Sequence, residues 1–158
     1  MHRSLLPALA LLLMAAAPAA QPQGQAVTLS RQPRTWMDTA AQRLTAQDLA
    51  EARRSGEIPL LLVGAAKLSS APGDRQALFV QLQSPRECGS AGCSTMVFMW
   101  RNNAWSRVLD GVSGRLAVAR TRTRGMADLQ GDTTRYAWNG SEYRDVSPAP
   151  QVDLRPRR

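Results

Sequence analysis

The chain has 158 residues, 44% of them hydrophobic, and a formal net charge of +8. That length allows one domain. Its single histidine is His2, and its two cysteines are Cys88 and Cys93, so histidine-based triads, histidine-ligated zinc or haem, and four-thiolate metal sites are excluded for a chain cleaved after residue 20.

Residues 1–20 have the form of a secretory signal. Met1-His2-Arg3 is a short positive start, Leu5 to Ala17 an apolar run, and Ala17-Pro18-Ala19 a small-residue cleavage site. The run is shorter than the roughly 20 residues a membrane helix needs, so no transmembrane segment is expected in the mature chain. Removing Arg3 with the signal leaves 19 basic and 12 acidic residues, a balance of +7 (20 − 1 − 12). A periplasmic or secreted location follows, and two cysteines in such a chain read as one disulfide, Cys88–Cys93. The excess positive charge favours anionic partners. Nucleic acid is not expected, because the protein is exported and carries no reader motif.

Residues 21–34 are rich in Gln, Pro and Gly and read as a flexible lead-in. Residues 35–54 are the single helical candidate. Thr45-Ala46-Gln47-Asp48 resembles an N-cap with an acid three residues on, and Arg53-Arg54-Ser55-Gly56 is a stop. Residues 59–66 are a continuous apolar run of strand length. Residues 76–83 alternate and predict a strand with one well-buried face. Further strands are expected over 95–100, 105–109 and 115–121, and the Asn139-Gly140 pair predicts a type I′ hairpin between Tyr136-Ala137-Trp138 and residues 142–146. Residues 147–158, with three prolines and three arginines, read as a disordered basic tail. The expected fold is α+β, mainly β, over residues 35–146: one N-terminal helix on an antiparallel sheet of about six strands.

The stretch Arg86-Glu87-Cys88-Gly89-Ser90-Ala91-Gly92-Cys93-Ser94 predicts a tight loop stapled at its base. The small residues between the cysteines favour a structural disulfide, stabilising by roughly 2 kcal/mol through loop entropy, over a redox site, whose usual spacing is shorter. An internal echo follows it. Trp100 and Trp105 stand in the same relation as Trp138 and Tyr143, each pair separated by a four-residue polar connection, with Val108 and Val146 three residues later. Two hairpins built on the same aromatic cross-strand pair would account for this. The use of the four rings is either core packing or an aromatic platform for a glycan or peptide.

Three segments resemble a known pattern. Val63-Gly64-Ala65-Ala66-Lys67-Leu68 through Asp74-Arg75-Gln76-Ala77-Leu78-Phe79-Val80 resembles the FG-GAP type, in which an aspartate-rich loop precedes an apolar strand. Glu87 to Cys93 is similar to the CGSGGC-type disulfide loop of small exported bacterial proteins. Thr121 to Leu129, then Tyr136-Ala137-Trp138-Asn139-Gly140 and Tyr143, resembles the ending of those proteins. The resemblance spans about residues 58–146 and implies a fold and a compartment, with no catalytic residues and no cofactor. Calcium, which needs several hard oxygen ligands, is not carried over: Lys67 stands at the first aspartate position and Asp74 alone is acidic.

The candidate contact groups are the row Arg120, Arg122 and Arg124, expected in a loop after a strand that ends or bulges near Ala119, and the exposed members of Trp100, Trp105, Trp138 and Tyr143. A non-catalytic binding or accessory protein of the cell envelope is expected, such as an inhibitor, with an envelope protein or an anionic glycan as partner and no metal. The alternatives are a small glycan hydrolase working through paired carboxylates such as Asp128 and Asp132, and an assembly subunit whose basic tail docks on an acidic neighbour.

Overall fold

The computed structural model describes residues 24–148. The signal at 1–20 and the tail beyond residue 148 lie outside the described residues. Ten strands and two helices follow one another: β1 (Gly24–Ala26), α1 (Trp36–Leu44), α2 (Ala46–Arg54), β2 (Leu60–Ala66), β3 (Ala77–Gln83), β4 (Cys88–Gly89), β5 (Gly92–Arg101), β6 (Ala104–Ser113), β7 (Ala117–Thr123), β8 (Met126–Gln130), β9 (Arg135–Trp138) and β10 (Tyr143–Asp145). The mainly-β, antiparallel character is as expected. The single helix and single six-stranded sheet are not: there are two helices, a strand precedes them, and the strands form two five-stranded sheets.

The helical stretch splits at Thr45. Thr35 is the N-cap of α1, in extended conformation, and its Oγ1 accepts a hydrogen bond from the Asp38 N–H. Met37, Ala40, Ala41 and Leu44, spaced to share one face, pack down from α1. Thr45 then turns both its N–H and its hydroxyl back onto the Ala41 carbonyl, each at 2.9 Å. That double bond closes α1, and α2 restarts without a side-chain cap on Thr45. The stop of α2 is as read. Gly56 takes φ +78°, and the N–H groups of Gly56 and Glu57 close on the Arg53 and Ala52 carbonyls, a glycine-terminated motif.

One sheet runs β2-β3-β5, with β6 and the short β4 both paired to β5; the other runs β1-β7-β8-β9-β10. Strand β3 is buried on both faces, not one. Leu78 and Val80 pack with Met96 and Phe98 beneath α1, while Ala77 and Phe79 pack with Val97, Leu109 and Leu129 toward the other sheet. The result is three layers, helices on sheet on sheet.

The stretch read as a flexible lead-in joins the two sheets from residue 24 onward. Strand β1 pairs with β7, the Val27 N–H reaches the Leu116 carbonyl, and Ser30 bridges Val63 on β2. Backbone hydrogen bonds hold it, and backbone pairing leaves little trace in composition. Gly64 makes the crossing possible, because a Cβ there would meet the Thr28 carbonyl oxygen at 2.5 Å.

Candidate binding groove

The disulfide loop forms as expected. Cys88 and Cys93 are directly opposite in the β4–β5 hairpin and bonded, with Cα atoms 3.9 Å apart. The loop lies at the start of β5, and the aromatic pair Trp100–Trp105 lies at that strand's far end, seven residues on. At about 3.3 Å per residue that is over 20 Å away.

The echo in the sequence is two hairpins. Trp100 is the cross-strand partner of Trp105, and Trp138 that of Tyr143. Both pairs meet edge to face, at 5.6 and 5.2 Å between ring centroids. The connections differ. Asn102 and Asn103 form a two-residue turn with both φ positive. The Asn139-Gly140 pair does not form the expected type I′ turn: Asn139 has no positive φ, its N–H donates to the Glu142 carbonyl at 3.0 Å, and its Oδ1 accepts from the Ser141 and Glu142 N–H groups, so the reversal centres on Gly140 and Ser141.

The two pairs have different fates. Trp138 and Tyr143 are 7% and 3% exposed and belong to the core between the sheets. The Tyr143 hydroxyl donates to the Ala127 carbonyl at 2.7 Å. Burial first, and the nearby Asp128 carboxylate second, push its pKa well above the ordinary 10.0. Trp100 and Trp105 are only partly buried, on the face of the first sheet that runs under α1.

There they meet Trp36, the first residue of α1. Trp36 is 53% exposed and stacks on Trp105 at 6.2 Å and 9° between planes. The three indoles line an open groove of about 620 Å³. Helix α1 supplies Trp36, Thr39, Ala40, Arg43 and Leu44, one stripe along its length; the segment before β3 supplies Arg75 and Gln76; the β5–β6 hairpin supplies Trp100 and Trp105. The Arg75 guanidinium carbon lies 4.5 Å from the Trp100 ring centroid, a cation–π contact. Neither Arg43 nor Arg75 makes an ion pair among the described residues. No carboxylate lines the groove. The missing signal was legible in hindsight: Trp36, Thr39, Ala40 and Arg43 share helical spacing.

The arginine row is spread over a strand and a turn. Strand β7 continues to Thr123, with a register shift between Val118 and Arg122, so the bulge near Ala119 is present and the loop is not. Arg120 is exposed. Arg122 donates to the Leu68 and Gly125 carbonyls at 3.3 and 3.1 Å, and Arg124 to the Asn139 carbonyl at 2.5 Å. Arg101 completes this set: it donates to the Ser141 carbonyl and its guanidinium lies 4.9 Å from the Trp138 ring centroid.

Among the carboxylates, Asp128 is 1% exposed. One of its oxygens accepts from the Thr121 hydroxyl at 2.7 Å and lies 3.8 Å from the Arg135 Nε; the other has no hydrogen-bond partner. Asp132 is exposed in the following loop and lies against Gly114. Among the described residues no three His, Cys, Asp or Glu side chains come together as a metal set, and no helix is long and apolar enough to cross a membrane.

Comparison with family models, curated proteins and solved structures found no match to this chain. The resemblance over residues 58–146 rests on its motifs alone.

Proposed function

We propose that this is a non-catalytic binding protein of the periplasm or extracellular space, and that its ligand seats in the groove between α1 and the β5–β6 hairpin. The observation that carries this reading is the exposed Trp36 grouped with the partly buried Trp100 and Trp105 beside Arg43 and Arg75. Folded proteins place large apolar rings at the surface most readily where a partner covers them, and indole and guanidinium groups dominate binding hot spots. With two unpaired arginines and no acid in the lining, the groove favours an anionic ligand, whether an envelope protein or an anionic glycan. The apolar run at residues 5–17 and the single cysteine pair support the exported location.

The test is retention of envelope-extract components on the immobilised, oxidised protein, eluted along a salt gradient. The wild type is expected to hold a partner that Trp36→Ala and Arg75→Gln each release at lower salt. Equal retention by all three proteins would overturn the assignment to this groove.

A further inference from the structure

We infer that the groove takes an acidic saccharide, with a pyranose ring against the indoles and its carboxylate on Arg75 and Arg43. This inference rests on the groove being the ligand site.

The polar groups come first. The Arg75 guanidinium carbon lies 4.5 Å from the Trp100 ring centroid, so the ring holds the cation at the groove without an ion-pair partner among the described residues. A guanidinium in that state offers a planar fork matched to a carboxylate. Arg43 stands seven residues after Trp36 on the same helix, roughly 10 Å along its axis, and both line the groove. One aromatic and one cationic station at that separation suit a ligand of two or three linked rings. Thr39 and Gln76 add neutral hydrogen-bonding side chains to the lining.

The apolar groups separate saccharide from peptide. An acidic peptide that binds by strand addition is held mainly by main-chain bonds along a free strand edge. Here the walls are ring faces and side chains. Trp100 has the strand parity of Phe98 and Met96, which pack beneath α1, so its ring lies on the face of the sheet. A pyranose presents a flat C–H face of the kind an exposed indole accommodates, and hydroxyls at its rim for Thr39 and Gln76. A volume of about 620 Å³ lies in the range of small-ligand sites, and the positive balance of the chain, +7 without residues 1–20, draws a polyanion toward the molecule.

The test is titration of the oxidised protein at low salt, followed by tryptophan fluorescence and calorimetry. The probes are trigalacturonate, a hyaluronan tetrasaccharide, an N-acetylmuramic acid-containing disaccharide, a neutral galactose trisaccharide and oligoglutamate. At least one acidic saccharide is expected to bind in preference to the neutral one. Arg75→Gln is expected to weaken it by about tenfold, as loss of a charged hydrogen bond does, and Trp36→Ala by a similar factor. Equal binding of neutral and acidic sugars, indifferent to Arg75→Gln, would overturn the carboxylate role. Binding of oligoglutamate in place of every saccharide would assign the groove to a peptide. If no probe binds while envelope components are still released by Trp36→Ala, the saccharide is wrong and the groove stands. If Trp36→Ala changes neither assay, the groove reading itself fails.

Discussion

Tyr143 and Trp36 show how differently one residue class can be used. The buried Tyr143 hydroxyl donates to the Ala127 carbonyl at 2.7 Å. Tyr143→Phe is expected to cost about 1–2 kcal/mol, measured by denaturant unfolding, since it strands that carbonyl. The hydroxyl also carries a pH signature. Its pKa in the folded chain is raised above the ordinary 10.0, by burial before anything else. Its contribution is therefore complete below pH 10 and is lost as pH rises toward the folded value. Stability should fall above about pH 10, and Tyr143→Phe should flatten that fall. An identical alkaline decline in wild type and variant would show that the group does not titrate in this way. Trp36 is 53% exposed and its replacement by Ala should leave stability within about 0.5 kcal/mol, while removing ligand.

At the scale of elements, the two aromatic hairpins make a controlled comparison. Trp138→Ala empties a core position and should cost about 3–5 kcal/mol. Trp100→Ala, at the matching position of a partly buried pair, should cost clearly less and weaken binding instead. Equal destabilisation would mean that both pairs serve packing alone. The disulfide hairpin is the third case. Cys88→Ser with Cys93→Ser should lower stability by roughly 2 kcal/mol and leave groove affinity unchanged, because the hairpin sits at the opposite end of β5. The pairing of these elements was readable in advance, since the echo Trp100/Trp105 and Trp138/Tyr143 and the small residues between the cysteines are local patterns. Which pair is exposed was not readable. That depends on α1 packing over one end of the first sheet, a contact between residues distant in the chain. The break of the helix at Thr45 was equally hidden, since a threonine hydroxyl bonding four residues back looks like any helical threonine until the geometry is known.

The whole molecule is three layers joined by a strand that composition did not announce. Residues 24–30 cross from β7 to β2, and Gly64 leaves room for them. Gly64→Val should cost about 2–3 kcal/mol by overpacking and speed hydrogen exchange at the Ser30 and Val63 amides; unchanged exchange would show that the crossing does not depend on Gly64. The doubled burial of β3 was masked in the same way. Its run of apolar residues fits one buried face or two, and the second sheet decides. The arginine row drew attention as a basic patch, yet Arg122 and Arg124 spend hydrogen bonds on carbonyls of Leu68, Gly125 and Asn139. Arginine in this chain is thus both a fastener and, at Arg43 and Arg75, an unpaired charge, and sequence alone does not separate the two.

The central claim is that ligand enters between α1 and the β5–β6 hairpin. The most direct measurement is a two-dimensional NMR titration reading the four indole Nε1–H resonances of the oxidised protein as the acidic saccharide panel or the released envelope fraction is added. Shifts are expected at Trp36, Trp100 and Trp105, with a still resonance at Trp138 and a shifted guanidinium signal at Arg75. Perturbation centred on Trp138 or on the Arg120 strand, with Trp36 unmoved, would contradict it.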